Sequence, residues 1–296
     1  MTRRSLVVGV ILAAGCGTTV DHVEAISQAG ISYTVAAPKA MDEATRIRVE
    51  ADAVDLVIAR ETGAAGDRRE RREAIAQRDA ALRGGLAIVS RLKQHNGLLQ
   101  DYFIALGTLA SSDAAQRSGA TTDGIVGQLA QLNPVIAQAQ VSIAGSSVPV
   151  SDFIGRAVEL TVRAAQNEAL RQELERHAFT IERELELQRA ALQALKEQAA
   201  ANRTTVVEDR RKTLVLDPYL AAGSLPADWV ATRADVFLDA EQPLAIAEAE
   251  RAADDLRRAW IAFAQGEPAG ALLERLLLRL GQLPELLPPS DRRGGS

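Results

Sequence analysis

The chain of 296 residues holds one thiol, Cys16. A cysteine can act as a nucleophile, as a metal ligand or as half of a disulfide. Without a second cysteine, an intramolecular disulfide and a zinc site built on paired thiolates are both excluded, so Cys16 is left to react by itself. The three histidines, His22, His95 and His177, stand dozens of residues apart. None falls in a His-Glu-x-x-His spacing, which would set two ligands on one helical face, so neither a metal centre nor a bound cofactor is expected. Glu173, Glu175, Glu182, Glu184 and Glu186 are interspersed with basic residues as on the solvated exterior of a helix, where neighbouring carboxylates are common without catalysis. Gly63-Ala64-Ala65-Gly66 lacks the lysine of a phosphate-binding loop and follows a helical pattern rather than a strand, so it reads as a turn. With no catalytic constellation in view, the chain is expected not to be an enzyme. A deep polar pocket converging on His95 or His177 would reopen a hydrolase reading.

The surroundings of Cys16 give its thiol a task. Arg3 and Arg4 form a positive start, Leu6 to Ala14 form an apolar stretch, and small residues lead into the cysteine. That is the layout of a signal peptide. The apolar run is well short of the roughly 20 residues a spanning helix needs. Leu12-Ala13-Ala14-Gly15-Cys16 resembles the lipobox of bacterial lipoproteins, a resemblance confined to residues 1–16. It implies that the Cys16 thiol accepts a diacylglyceryl group as a thioether, and that cleavage before it frees an amine for a further acyl chain. Two or three chains hold a protein on a bilayer, where one binds only marginally. Gly17, which is not the Asp associated with inner-membrane retention, directs the expectation to the outer membrane, facing the periplasm.

Composition narrows the rest. Apolar residues make up 47% and aromatic residues only 3%, in a chain rich in Ala, Leu, Arg and Glu, which favours helix over sheet. Residues 1–15 carry two arginines and no acid, so removing them takes the formal charge from −5 to −7. Nucleic acid is not an expected partner, because phosphate binding needs a concentrated basic face.

The elements follow from periodicity. Residues 16–40, with Gly30, Pro38 and the extended-looking Ile31-Ser32-Tyr33-Thr34-Val35, read as a lipid-anchored tether. An elongated antiparallel helical bundle is expected over 41–220. Its first helix runs from Asp42 to Glu61, with Ile47, Ala51, Val54 and Ile58 at helical spacing. A second carries Ile75, Leu82, Leu86 and Val89 and broadens past Gly84-Gly85 into Leu92, Leu99, Tyr102, Phe103 and Leu106, the expected core. Between Ser111 and Ser151 two short helices are expected, Thr122 capping one and Asn133-Pro134 opening the other. A long rod from Ser151 to about Lys212 follows, its stripe of Leu170, Leu174, Ile181, Leu185, Leu192 and Leu195 interrupted by His177, Glu184 and Gln188. Residues 221–283 form C-terminal helices around Trp229, Trp260 and Leu272 to Leu280, and 284–296 a disordered tail.

These features converge on an all-α, lipid-anchored periplasmic protein that acts as a binding or scaffolding component of the cell envelope. Its expected partners are the bilayer, through acylated Cys16, and an envelope protein. The alternative is a helical pore-forming or membrane-remodelling protein, since Gly124 to Val162 is poor in charge and flanked by long helices. Pro134 and Pro149 make that segment a poor spanning helix.

Overall fold

The computed structural model describes residues 19–63, 66–111, 115–144 and 168–287. Among them there is no strand. The chain forms α1 (Thr19–Glu61), α2 (Arg68–Ser111), α3 (Ala115–Ala144), α4 (Glu168–Arg210), α5 (Asp217–Leu220), α6 (Trp229–Glu241), α7 (Ala245–Gln265) and α8 (Gly270–Leu286), with a π-helical turn at Arg211–Leu216 between α4 and α5. This is the expected all-α bundle of long helices. With 43 residues, α1 is about 65 Å long at the usual helical rise.

Local chemistry starts and stops these rods. Gly63 and Gly66 turn the chain with φ of 74° and 63°, a region that glycine enters without steric cost. The next helix is then capped at once. Asp67 Oδ1 accepts the backbone N–H of Arg69 and Glu70 at 2.7 and 2.9 Å, and Glu70 Oε2 accepts that of Asp67 at 2.9 Å, a reciprocal capping box. So tight a turn makes α1 and α2 antiparallel, in a register held by Arg78 on Asp52 at 3.3 Å and by Lys93 on Asp42. Thr122 of α3 meets Glu173 of α4, and Asn133 meets Glu184, so α3 and α4 run in the same direction. By the same register test α7 runs antiparallel to both α4 and α8.

The buried positions advance by alternating steps of three and four. In α1 they are Val23, Ile26, Gly30, Tyr33, Ala37, Ala40, Ala44, Ile47 and Ala51. That is a heptad seam within a single chain. The seam of α4 runs through Leu174, Ala178, Ile181, Leu185, Gln188, Leu192 and Leu195. Gln188 and Glu184, expected to interrupt it, are buried with it. A layer of edge-on rings fills the middle: Trp260 lies 5.9 Å from Tyr102 and 6.0 Å from Phe103, centroid to centroid, and its indole N–H donates to the Ala178 carbonyl at 2.9 Å. Each such ring buries enough apolar surface to contribute roughly 1.5–3 kcal/mol.

Three boundaries differ from the sequence reading. Residues 19–40 are not a tether but the first half of α1. The run 31–35, with β-branched Ile31, Thr34 and Val35, stays helical because Tyr33 is buried in the core and Thr34 returns its hydroxyl to the Gly30 carbonyl at 3.0 Å; burial outweighs a weak local preference. The Asn133-Pro134 start of a second short helix lies instead inside α3, which runs from Ala115 through Pro134 to Ala144. Likewise Pro284 belongs to α8, which ends at Leu286; positions 288–296 of the expected tail lie outside the described residues, as do 151–167 of the expected long rod.

Gly30 and Gly97 make a matched pair of helix-interior glycines. A Cβ on Gly30 would sit 2.4 Å from the Phe103 ring, whereas one on Gly97 meets nothing within 4 Å. Gly30→Ala should therefore lower stability by about 1–3 kcal/mol through overpacking. Gly97→Ala should raise it by up to about 1 kcal/mol through helix propensity. Urea unfolding of the two variants checks the contrast, and equal effects would refute it.

Candidate functional site

The residues singled out by their chemistry do not converge. Cys16 lies outside the described residues. His22 is exposed near the start of α1, His95 is wholly buried on α2, and His177 lies near the surface of α4, its Nε2 2.6 Å from Asp123 Oδ1. Among the described residues no group of three or more His, Cys, Asp or Glu side chains is placed to hold a metal ion. A shallow dent between α1, α2 and α4, where Arg48 lies over Gly85 and reaches Gln198 at 3.3 Å, has about 10 Å³ of room, the scale of one water.

Of the five glutamates read as a solvated face, Glu173, Glu182 and Glu184 are buried. Partners on other helices explain each of them. The layer around Glu184 can be followed atom by atom. Pro38 has no N–H, so the Thr34 carbonyl one turn earlier loses its helical donor. The Asn96 side chain replaces it, its Nδ2 lying 2.5 Å from Thr34 O. This orients the amide, so Asn96 Oδ1 faces and accepts Gln188 Nε2 at 3.3 Å. Gln188 Oε1 is thereby turned to His95 Nδ1 at 3.0 Å, and that nitrogen must carry the hydrogen. The other ring nitrogen, Nε2, sits 2.9 Å from Glu184 Oε2, while Asn133 Nδ2 donates to Glu184 Oε1 at 2.6 Å. His95 and Glu184 thus share a hydrogen in a layer joining α1, α2, α3 and α4. Buried polar layers of this kind set register in coiled coils.

A second buried carboxylate lies beside the aromatic layer. Thr122 Oγ1 donates to Glu173 Oε2 at 2.8 Å. The buried Tyr102 hydroxyl lies close to the same carboxyl. Burial pushes the Glu173 carboxyl above its ordinary 4.5 and the Tyr102 phenol well above its ordinary range. Outside the core, α4, α7 and α8 are clamped by ions: Arg257 bridges Glu182 at 2.5 Å and Glu186 at 3.2 Å, and Asp255 receives Arg279 at 2.8 Å and Arg275 at 3.2 Å.

The surface most unlike a finished exterior lies at the end of the bundle remote from Thr19. Lys212 approaches Glu61 at 3.9 Å, so the end of α1 and the π-helical turn share this end. The turn ends at Leu216, two residues before Pro218; one of its carbonyls, Val215, accepts the Trp229 indole N–H at 3.1 Å, and Trp229 stacks on Tyr219 with centroids 5.5 Å apart. These contacts seat α6, whose inward side carries buried Val236. Its outward side is apolar too. Val230, Phe237 and Leu238 are 75, 48 and 65% exposed, at helical positions i, i+7 and i+8 of one stripe. Tyr219 and Leu220, 62 and 76% exposed, adjoin on α5. The amphipathic reading of the long helices gave no sign of this patch, because a 13-residue helix with two apolar sides shows no single stripe.

No family model, no curated protein and no solved structure matches the chain.

Two variants test the polar layer and the buried carboxylate. Asn96→Leu should cost about 1–3 kcal/mol by leaving the Thr34 carbonyl unpaired. Pro38→Ala, which returns a backbone donor to that carbonyl, should recover part of the loss in the double variant; urea unfolding of the four-member cycle measures it, and strict additivity would rule the link out. For Glu173, a folded-state affinity for the proton raised above 4.5 means that its contribution favours the fold in acid and is lost as pH rises past that value. Glu173→Gln should therefore match the wild type at pH 4 and exceed it in thermal stability at pH 7. A gap that does not widen with pH would contradict the assignment.

Proposed function

We propose that this protein is a non-catalytic binding or scaffolding component of the cell envelope, anchored through lipid on Cys16 and projecting its bundle away from the membrane. The observation that supports a binding role is the outward apolar stripe of α6. Soluble surfaces seldom gather large apolar side chains on one helix face unless something covers them. Its position suits the anchor. With Thr19 three residues beyond Cys16, acyl chains would hold one end of α1 at the bilayer, and the stripe stands at the other end, about 60 Å along the helix by its rise per residue.

The described part of the low-charge middle, residues 124–144, has a packing role that agrees with this reading. Ile125, Val126, Leu129 and Ile136 of α3 are buried in the core. No described helix is long and apolar enough to cross a membrane.

Intact mass and membrane fractionation of natively expressed protein, beside Cys16→Ser, test the anchor. The expected wild-type mass is that of the chain lacking residues 1–15 with acyl chains added, recovered with membranes, while the variant is unprocessed or released. A wild type without acyl chains would overturn the lipoprotein reading.

A further inference from the structure

The charges around the α6 stripe identify what covers it. Three of the cations near the stripe are paired with carboxylates. Arg210 pairs with Asp239 at 2.8 Å, Arg211 with Glu208 at 3.5 Å and Lys212 with Glu61 at 3.9 Å, while Arg233 lies over the Phe237 ring with its guanidinium 5.2 Å from the centroid. The exposed carboxylates Asp217, Asp228, Asp235 and Glu241 flank the same residues and have no cationic partner among the described residues. Arg233, and Arg203, which donates to the Gln242 carbonyl at the end of α6, have no carboxylate partner among the described residues, so two such cations stand against four such carboxylates and the apolar stripe is bordered by an excess of negative charge. From this juxtaposition we infer that the α5–α6 end docks a basic amphipathic protein helix, its apolar side on Val230, Phe237, Leu238 and Leu220 and its Lys or Arg residues over Asp217, Asp228, Asp235 and Glu241.

Physical reasons separate this occupant from the others. A second copy would bring the same four carboxylates against themselves, and like charges facing across an interface oppose association. An anionic bilayer is repelled by the same rim, since attraction to such a surface depends on unpaired Lys and Arg. A helix is the matching element because the exposed anchors recur at i, i+7 and i+8, the period that a partner helix presents in return. The Trp229–Tyr219 stack and the Val215 bond hold α6 in place before any partner arrives, so docking does not have to order the surface first.

The inference rests on the binding role proposed above, but not on the anchor, so the two can fail separately. The full-length chain with Cys16→Ser, in which no acyl chain competes for apolar ligands, is titrated with a 14-residue Leu/Lys amphipathic helical peptide and with its Leu/Glu counterpart. Trp229 reports binding by fluorescence, because the other tryptophan, Trp260, is wholly buried. The Leu/Lys peptide is expected to bind in a salt-sensitive manner and the Leu/Glu peptide not to bind. Val230→Asp with Leu238→Asp, both at exposed positions, should weaken binding at least tenfold with the helical circular dichroism unchanged. Asp228→Asn with Asp235→Asn should weaken it and flatten its salt dependence. Equal binding of both peptides, Leu/Lys binding that survives the Val230/Leu238 change, a wild-type dimer in sedimentation that this change dissociates, or adsorption to vesicles of anionic phospholipid through the same residues would each overturn the inference.

Discussion

One missing hydrogen organises the centre of this bundle. Pro38 cannot donate to the Thr34 carbonyl, and an unpaired carbonyl in a dry core is costly to leave. The buried Asn96 amide reaches it from α2, at 2.5 Å. Because a carbonyl can only accept, Asn96 is obliged to present its own oxygen the other way, and the polarity of every later bond follows through Gln188 and His95 to Glu184. Sliding one helix against another by a heptad would strand several of these groups at once, whereas an all-leucine seam would tolerate the slip. Register is thus specified by polar groups embedded in apolar packing that supplies most of the stabilisation.

The apolar packing has its own constraints. Gly30 is where α1 comes close enough for the Phe103 ring to lie on its backbone, and the ring layer of Tyr102, Phe103, Trp260 and Phe263 ties α2 to α7 at that level. The Trp260 indole would be an unpaired donor there but for the Ala178 carbonyl of α4. Apolar contact and polar satisfaction act on the same side chain. The ion clusters of Arg257 and Asp255 then join α7 and α8 to the outside of α4 where long side chains can reach water.

The two ends of the bundle differ in how far this closure proceeds. Through the polar and aromatic layers the large apolar side chains are mostly covered, with Val35, Ile104 and Phe179 standing singly at the surface, while beyond the π-helical turn a short helix lies on the end of α4 with apolar residues on both of its sides. Such an end has the rigidity to present a surface and leaves that surface uncovered. A bundle built this way separates the element that positions from the element that contacts.

Much of the architecture was determined by the sequence alone. Apolar stripes at helical spacing, glycines and prolines mark out an all-α bundle, and Tyr102, Phe103 and Trp260 are legible as core because aromatic area is too valuable to leave in water in a chain with so few rings. Other features depend on residues far away in the chain and could not be read locally. Pro38 breaks a helix in any local reading, and only Asn96, arriving from another helix, lets α1 pass through it. Glu173, Glu182 and Glu184 resemble an exterior until Thr122, Arg257, His95 and Asn133 are brought to them by the fold. Whether Val230, Phe237 and Leu238 face a core or solvent is decided by which side of α6 the π-helical turn engages. A side chain's type is a property of the sequence, but its burial and its partner are properties of the packing.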